Sequence, residues 1–176
     1  MDEPYSDRLE ADKWMREVKS RGAVSDALNT QRFADGYYAL VKSIGWSPNP
    51  GQETLPPVRV PVGFVTDFAS IPRPFWSLIP RDGQYTFAAI IHDFLYWDQS
   101  MPREQADLVF KYAMQDFKVP AATISIIHKA VRVGGGGAWK GNATAKQSGE
   151  KRRLTQLPDD PLVTWADWKK KPGVFD

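Results

Sequence analysis

Residues 84 to 133 carry the same pattern three times: an apolar stripe at helical spacing, closed off by a turn or a proline. Ala88, Ile91 and Leu95 make the first stripe, after a helix-start signal at Arg81-Asp82-Gly83. Ala106, Val109, Phe110 and Ala113 make the second, and Ile124, Ile127 and Val131 the third. Pro102 and Pro120 fit the first turn of the helices they open, where a missing N–H costs nothing. The pattern predicts helices over roughly 84–97, 102–117 and 120–133. The links between them, such as Asp98-Gln99-Ser100, are short, and short links make neighbouring helices antiparallel. The four glycines 134–137 are expected to end the third helix abruptly and to act as a flexible hinge.

Upstream the period changes from helical to two. Asp35-Gly36 is a turn signal, and Tyr37-Tyr38-Ala39-Leu40-Val41 is β-prone. Residues 47–57 hold four prolines and a glycine, which makes them a loop. Val58, Val60, Val62 and Phe64 then alternate with Arg59, Pro61 and Gly63, the pattern of a half-buried strand, placed at an edge by Pro61. The expected fold class is α+β. A small antiparallel β-element from residues 37–65 packs on a core of about three helices, with extended N- and C-terminal arms. The expected division is an N-terminal arm over 1–32, a core domain over 33–137, and a basic, Trp-containing C-terminal arm over 138–176. Trp14, Trp165 and Trp168 are the expected anchors of the arms, because aromatic side chains bury the most area.

Composition removes several classes of function. The chain has 176 residues and no cysteine, which excludes disulfide frameworks, zinc ribbons and cysteine nucleophiles. Its net charge of +2 exerts little pull on nucleic acid or on an anionic membrane. No run approaches the ~18–20 apolar residues that a membrane-spanning helix needs. The start, Met1-Asp2-Glu3-Pro4-Tyr5, is acidic and unlike a secretory signal. Lys151-Arg152-Arg153 reads as a solvated stretch rather than a nucleic-acid contact.

The chemistry-bearing residues gather on the first two predicted helices. His92 is one of two histidines in the chain. Tyr96 lies four residues on and shares its helix face. Asp93 is rotated about a quarter turn away, and Asp107 borders the apolar stripe of the next helix, where it can face His92. Two readings stand side by side. In one, His92 is a general base on water, Asp107 fixes its tautomer and Tyr96 completes the site. In the other, the imidazole is a buried polar clamp satisfied by Asp107 or a backbone carbonyl. Asp93 is either a ligand for a divalent cation or the partner of Arg81, Arg73 or Arg103. Asp67 is either a second ligand or the acceptor of an Asx-type turn that ends the strand. Ser70 reads as a local cap, and His128 as a core or interface histidine. The glycine run lacks the Lys-Ser/Thr pair of a phosphate loop.

Two resemblances attach to these residues. The stretch Val60-Pro61-Val62-Gly63-Phe64-Val65-Thr66-Asp67-Phe68-Ala69-Ser70-Ile71-Pro72-Arg73 looks like the signature of a phage and prophage family, domain of unknown function 1353 (DUF1353). So do His92-Asp93-Phe94-Leu95-Tyr96 with Arg103 and Ala106-Asp107, and the Gly-rich segment before Trp139. The resemblance covers roughly residues 37 to 139 and implies a phage or prophage origin. A second, local resemblance is to phospholipase A2 active sites. There a histidine-aspartate pair on a helix is followed by a tyrosine, and a second helix supplies an aspartate that holds the histidine. His92, Asp93, Tyr96 and Asp107 match it in turn. It implies that Ca²⁺, the one candidate cofactor, binds Asp93 and loop carbonyls, with Asp67 the obvious further ligand. The Gly-rich calcium loop and the disulfides of the secreted enzymes are absent.

The first expectation for function is a bacteriophage virion protein, a tail or baseplate component made in the host cytoplasm. Its polar arms would fray unless neighbouring subunits, or further copies of the chain, held them. The alternative is a phage-encoded metal-assisted hydrolase, phospholipase A2-like or directed at the cell wall, with His92 as general base.

Overall fold

The computed structural model describes residues 24–25, 27–68 and 85–176. Arg73, Arg81, Asp82, Gly83, Ser70 and Trp14 lie outside the described residues. The fold is α+β. The strands are β1 (Val24–Ser25), β2 (Thr30–Arg32), β3 (Tyr38–Leu40), β4 (Ile44–Trp46), β5 (Val58–Val60) and β6 (Val65–Thr66). The helices are α1 (Thr86–Asp98), α2 (Arg103–Asp116), α3 (Ala121–Gln147) and the short α4 (Trp165–Trp168). Two small antiparallel sheets form, in the orders β1-β4-β5 and β2-β3-β6.

The helices follow the sequence stripes. α1 is buried almost all round, from Thr86 through Asp93 and again at Leu95 and Tyr96, because it packs on α2, α3, β5 and β6. Gln99 closes it in the left-handed region, φ +57°, with its N–H on the Leu95 carbonyl. α2 buries Ala106, Asp107, Val109, Phe110, Ala113 and Met114, so Asp107 sits inside the stripe rather than at its border. Below the helices, Ile44, Trp46, Val58 and Val60 supply the apolar face of the first sheet. The Trp46 indole N–H donates to Asp116 at 2.9 Å, joining that sheet to the end of α2.

The single strand expected over 58–65 is two strands in two sheets. Gly63 makes the turn between them at φ +82°, a conformation that suits a residue without Cβ. The chain from 24 to 32, expected in the N-terminal arm, supplies β1 and β2.

Two expectations about the C-terminal half are corrected. The third helix does not end at Gly134; it runs through the glycines to Gln147. Its extension lies over the end of α1 and donates side-chain hydrogen bonds to carbonyls left unpaired there: Asn142 to Tyr96 O at 3.1 Å and Lys146 to Asp98 O at 3.0 Å. Trp139 packs edge-on against Tyr96 at 5.2 Å. These contacts offset the weak helix propensity of four glycines.

Nor do the residues beyond the helix stand off from the domain. Val65 N–H donates to Arg152 O, and Leu154 N–H to Gly63 O, both at 2.9 Å. Leu154, Trp165 and Val174 bury themselves against Phe33, Ala39 and Val65 in a second small core. Trp168 packs on its edge. Asp35 accepts the Trp165 and Ala166 N–H groups at 2.8 and 3.1 Å.

Gly63 decides whether this attachment survives. A Cβ there would stand 1.9 Å from the Leu154 carbonyl oxygen, a backbone atom with nowhere to retreat. Gly63→Ala is expected to cost about 2–4 kcal/mol, from left-handed strain plus that clash. Denaturant unfolding, with limited proteolysis at 150–176, measures the loss.

Candidate functional site

The three helices converge on the carboxylate of Asp107, which is 0% exposed. Its Oδ1 accepts from His92 Nε2 at 2.9 Å and from the Tyr96 hydroxyl at 2.7 Å. Its Oδ2 accepts from Arg103 at 3.2 Å and from Arg132 at 3.0 Å. The sequence-derived His92, Tyr96 and Asp107 are thus brought together, with two arginines added. Helical geometry explains each place: His92 and Tyr96 are i and i+4 on α1, Arg103 and Asp107 are i and i+4 on α2, and Arg132 comes from α3.

The electrostatics follow from this cage. Burial pushes the Asp107 carboxyl up, but the hydrogen bonds from His92, Tyr96 and Arg132 outweigh it and hold the group below its ordinary value. Asp107 is therefore ionised. Burial lowers His92, against the opposing pull of Asp107, so the imidazole is neutral at pH 7. Burial and the Asp107 carboxylate raise Tyr96, so its hydroxyl keeps its proton. A neutral imidazole with Nε2 facing a carboxylate carries its proton on Nε2, which leaves the lone pair on Nδ1. That atom is buried and has no hydrogen-bond partner among the described residues. The ring is held flat against Phe110, 4.4 Å away.

His92 lines a cavity of about 370 Å³ between α1, the glycine stretch of α3 and the C-terminal segment. Asp93, Tyr96, Asp67, Gly134, Gly135 and Arg152 share its wall. Two of the four glycines, Gly134 and Gly135, form part of that wall. A Cβ on Gly135 would lie 2.2 Å from the Tyr96 hydroxyl, whereas one on Gly136 or Gly137 would meet nothing within 4 Å among the described residues. His128 lies elsewhere, beside Lys111 and Lys129.

Asp93 does not pair with Arg103, which turns to Asp107 instead. Its Oδ2 accepts from the Thr66 hydroxyl at 2.5 Å. Burial first, then the charge of Asp67, raise its carboxyl to about 6; the Thr66 bond and Arg152 oppose the rise. The turn after β6 is closed by Thr66, whose Oγ1 accepts the Phe68 N–H at 3.1 Å. A calcium ion takes about six to eight oxygens. Asp93 and Asp67 are two carboxylates, and no group of three His, Cys, Asp or Glu side chains that could hold a metal occurs among the described residues. No chemical step is routed through a cation.

Arg132 and Thr66 went unassigned by sequence reasoning, while Arg152 was expected in a solvated stretch and Gly135 in a hinge. The i, i+4 spacing of Arg103 and Asp107 was a readable signal for that pair. Nothing local connects Arg152 or Thr66 to α1.

Residues 51–131 match the model of a family described as "Protein of unknown function (DUF1353)". The match contains His92, Asp93, Tyr96 and Asp107 and bears out the family recognised from the two motifs. A relative is the uncharacterized protein y4jT of Sinorhizobium fredii (strain NBRC 101917 / NGR234), 36% identical over 74 residues. The alignment covers 41% of this chain and 22% of that protein's length. No solved structure matches the chain.

Two measurements test this geometry. The native state, with Asp93 near 6, holds more protons than an unfolded aspartate near 3.8, so its stability falls as pH rises through that window. Asp93→Asn removes the penalty. The variant should gain on the parent by about 1–3 kcal/mol between pH 4 and pH 7, read by denaturant unfolding. Gly135→Ala should displace Tyr96 from Asp107 and cost about 1–3 kcal/mol. Gly136→Ala should instead stabilise the helix by about 0.5–1 kcal/mol.

Proposed function

We propose that this protein is a hydrolase in which His92 activates water for attack on an ester. The observation that carries the reading is the buried Nδ1 of His92, without a partner among the described residues and beside a cavity, with Nε2 committed to Asp107. A purely structural histidine would satisfy both nitrogens, because an unpaired buried acceptor costs about 1–3 kcal/mol. A water in the cavity supplies the missing partner.

The sequence of events uses groups already in place. Nδ1 takes a proton as the water oxygen bonds to the acyl carbon. The resulting imidazolium returns the proton to the leaving alkoxide as the ester bond breaks, giving acid and alcohol. Asp107 stabilises the imidazolium and stays ionised, held so by the hydrogen bonds from His92, Tyr96 and Arg132. Tyr96 and Phe110 fix the ring. The arrangement resembles phospholipase A2 sites at His92, Asp93, Tyr96 and Asp107, which favours envelope lipid over cell-wall material as substrate.

The expected virion role, in a tail or baseplate, is a separate proposal about where the protein works. Residues 148–176 pack on their own domain, so their order asks for no neighbouring subunit. That role rests on the phage and prophage family alone.

His92→Gln keeps a donor toward Asp107 but removes the proton acceptor. Hydrolysis of phospholipid vesicles should fall by about 10²–10⁴-fold while folding persists. The parent's rate should drop on the acid side at a pH below the ordinary imidazole value of 6.5, because burial keeps His92 neutral there. Parallel runs with calcium and with chelator, on parent and Asp93→Asn, reveal any cation at Asp93 and Asp67. Equal rates for parent and His92→Gln would sink the hydrolase reading.

A further inference from the structure

A second cavity, of about 340 Å³, opens on the other side of Arg152. Its wall holds three arginines, Arg59, Arg152 and Arg153, against one acid, Asp98, and its floor is aromatic: Phe64, Phe94 and Trp97. Arg152 lines this cavity and the His92 cavity alike. We infer that the arginine-lined cavity binds an oxyanion, phosphate or carboxylate, carried on an apolar body, and that Arg152 is the anchor that places such a ligand beside His92.

The physical grounds are position, charge and shape. The Arg152 backbone is pinned, its carbonyl accepting the Val65 N–H at 2.9 Å. Its guanidinium lies over Trp97, 4.7 Å from the ring centroid, which holds the charged group in place. Its ion pair, to Glu150 at 3.6 Å, uses Nε, and the two terminal nitrogens have no hydrogen-bond partner among the described residues. A guanidinium held in place with both terminal nitrogens available matches the two-oxygen edge of a carboxylate or phosphate. Arg59 adds a second cation and is held by a neutral partner, the Ser43 hydroxyl, at 2.9 Å. Arg153 contributes less, because Asp176 pairs with it at 3.0 Å. Phe94 and Phe64 meet edge to face at 5.3 Å and give the apolar body a surface to lie on.

The binding claim stands apart from catalysis; only the link to His92 rests on the hydrolase reading. Calorimetric titration of the full chain tests it with phenyl phosphate, benzoate, inorganic phosphate and phenol. One of the two aromatic anions should bind saturably at a single site, at least tenfold tighter than inorganic phosphate, and phenol should not bind. Whichever of phenyl phosphate and benzoate wins identifies the oxyanion. Arg152→Gln should weaken that binding about tenfold or more, and Arg59→Gln should weaken it measurably. In turnover, Arg152→Gln should raise KM for an anionic ester and spare a neutral one, with kcat held. No saturable binding by either aromatic anion, or full binding by both arginine variants, would overturn the subsite. Anion binding without His92-dependent hydrolysis would keep the subsite and remove the hydrolase reading. Hydrolysis without anion binding would do the reverse.

Discussion

The carboxylate of Asp107 is the contact on which the rest of this structure depends. A fully buried charge is tolerated only when it is paired and its lone pairs are filled. Here four donors fill them, and they come from all three long helices. The requirement works in both directions. Asp107 needs the helices at this separation, and Arg103 and Arg132, each partly exposed, have Asp107 as their buried partner. Removing the carboxylate would leave two cations and an imidazole facing an empty centre. The same contact sets the chemistry. By taking the Nε2 proton of His92 as a hydrogen bond, Asp107 leaves the lone pair on Nδ1, and Nδ1 is the atom without a partner among the described residues.

The glycine run shows how a local penalty is accepted for the sake of an approach between helices. Four consecutive glycines lower helix propensity by about 1 kcal/mol each relative to alanine. Only Gly135 meets another side chain closely, at the Tyr96 hydroxyl. It lets α3 pass over α1 without pushing Tyr96 off Asp107. The helix is stabilised beyond the glycines by Trp139, Asn142 and Lys146, which seat on the end of α1. The shallow surface left by Gly134 and Gly135 becomes one wall of the cavity.

The opposite wall comes from the C-terminal segment. Ladder bonds to Gly63 and Val65, and the burial of Leu154, Trp165 and Val174, hold it against the second sheet. The positive φ of Gly63 permits this close docking. Arg152 is thereby set between the two cavities, against Trp97 and near Asp93. The site is therefore built from three distant parts of the chain: β6, the helical core and the tail.

The α+β class, the three helix stripes and the meeting of His92, Tyr96 and Asp107 were legible in the sequence. Each depends on periodicity and short links, and both are local properties that the chain carries wherever it folds. The helix through Gly134–Gly137 was not legible, because glycine's local preference argues for an end and only packing on Tyr96 and α1 reverses it. The separation of 58–66 into two strands was hidden for a similar reason: one alternating pattern serves either sheet, and pairing partners far along the chain choose. Of the partners weighed for Asp93, Arg103 goes to Asp107 instead, and the fold brings Thr66 to Asp93, a contact that charge alone does not suggest. What the sequence determined was the set of buried faces and the residues able to do chemistry on them. The tertiary structure alone decided that His92 Nδ1 has no partner among the described residues and that Arg152 lines the same cavity, because both follow from how the helices and the C-terminal segment pack, which the local pattern of the chain does not specify.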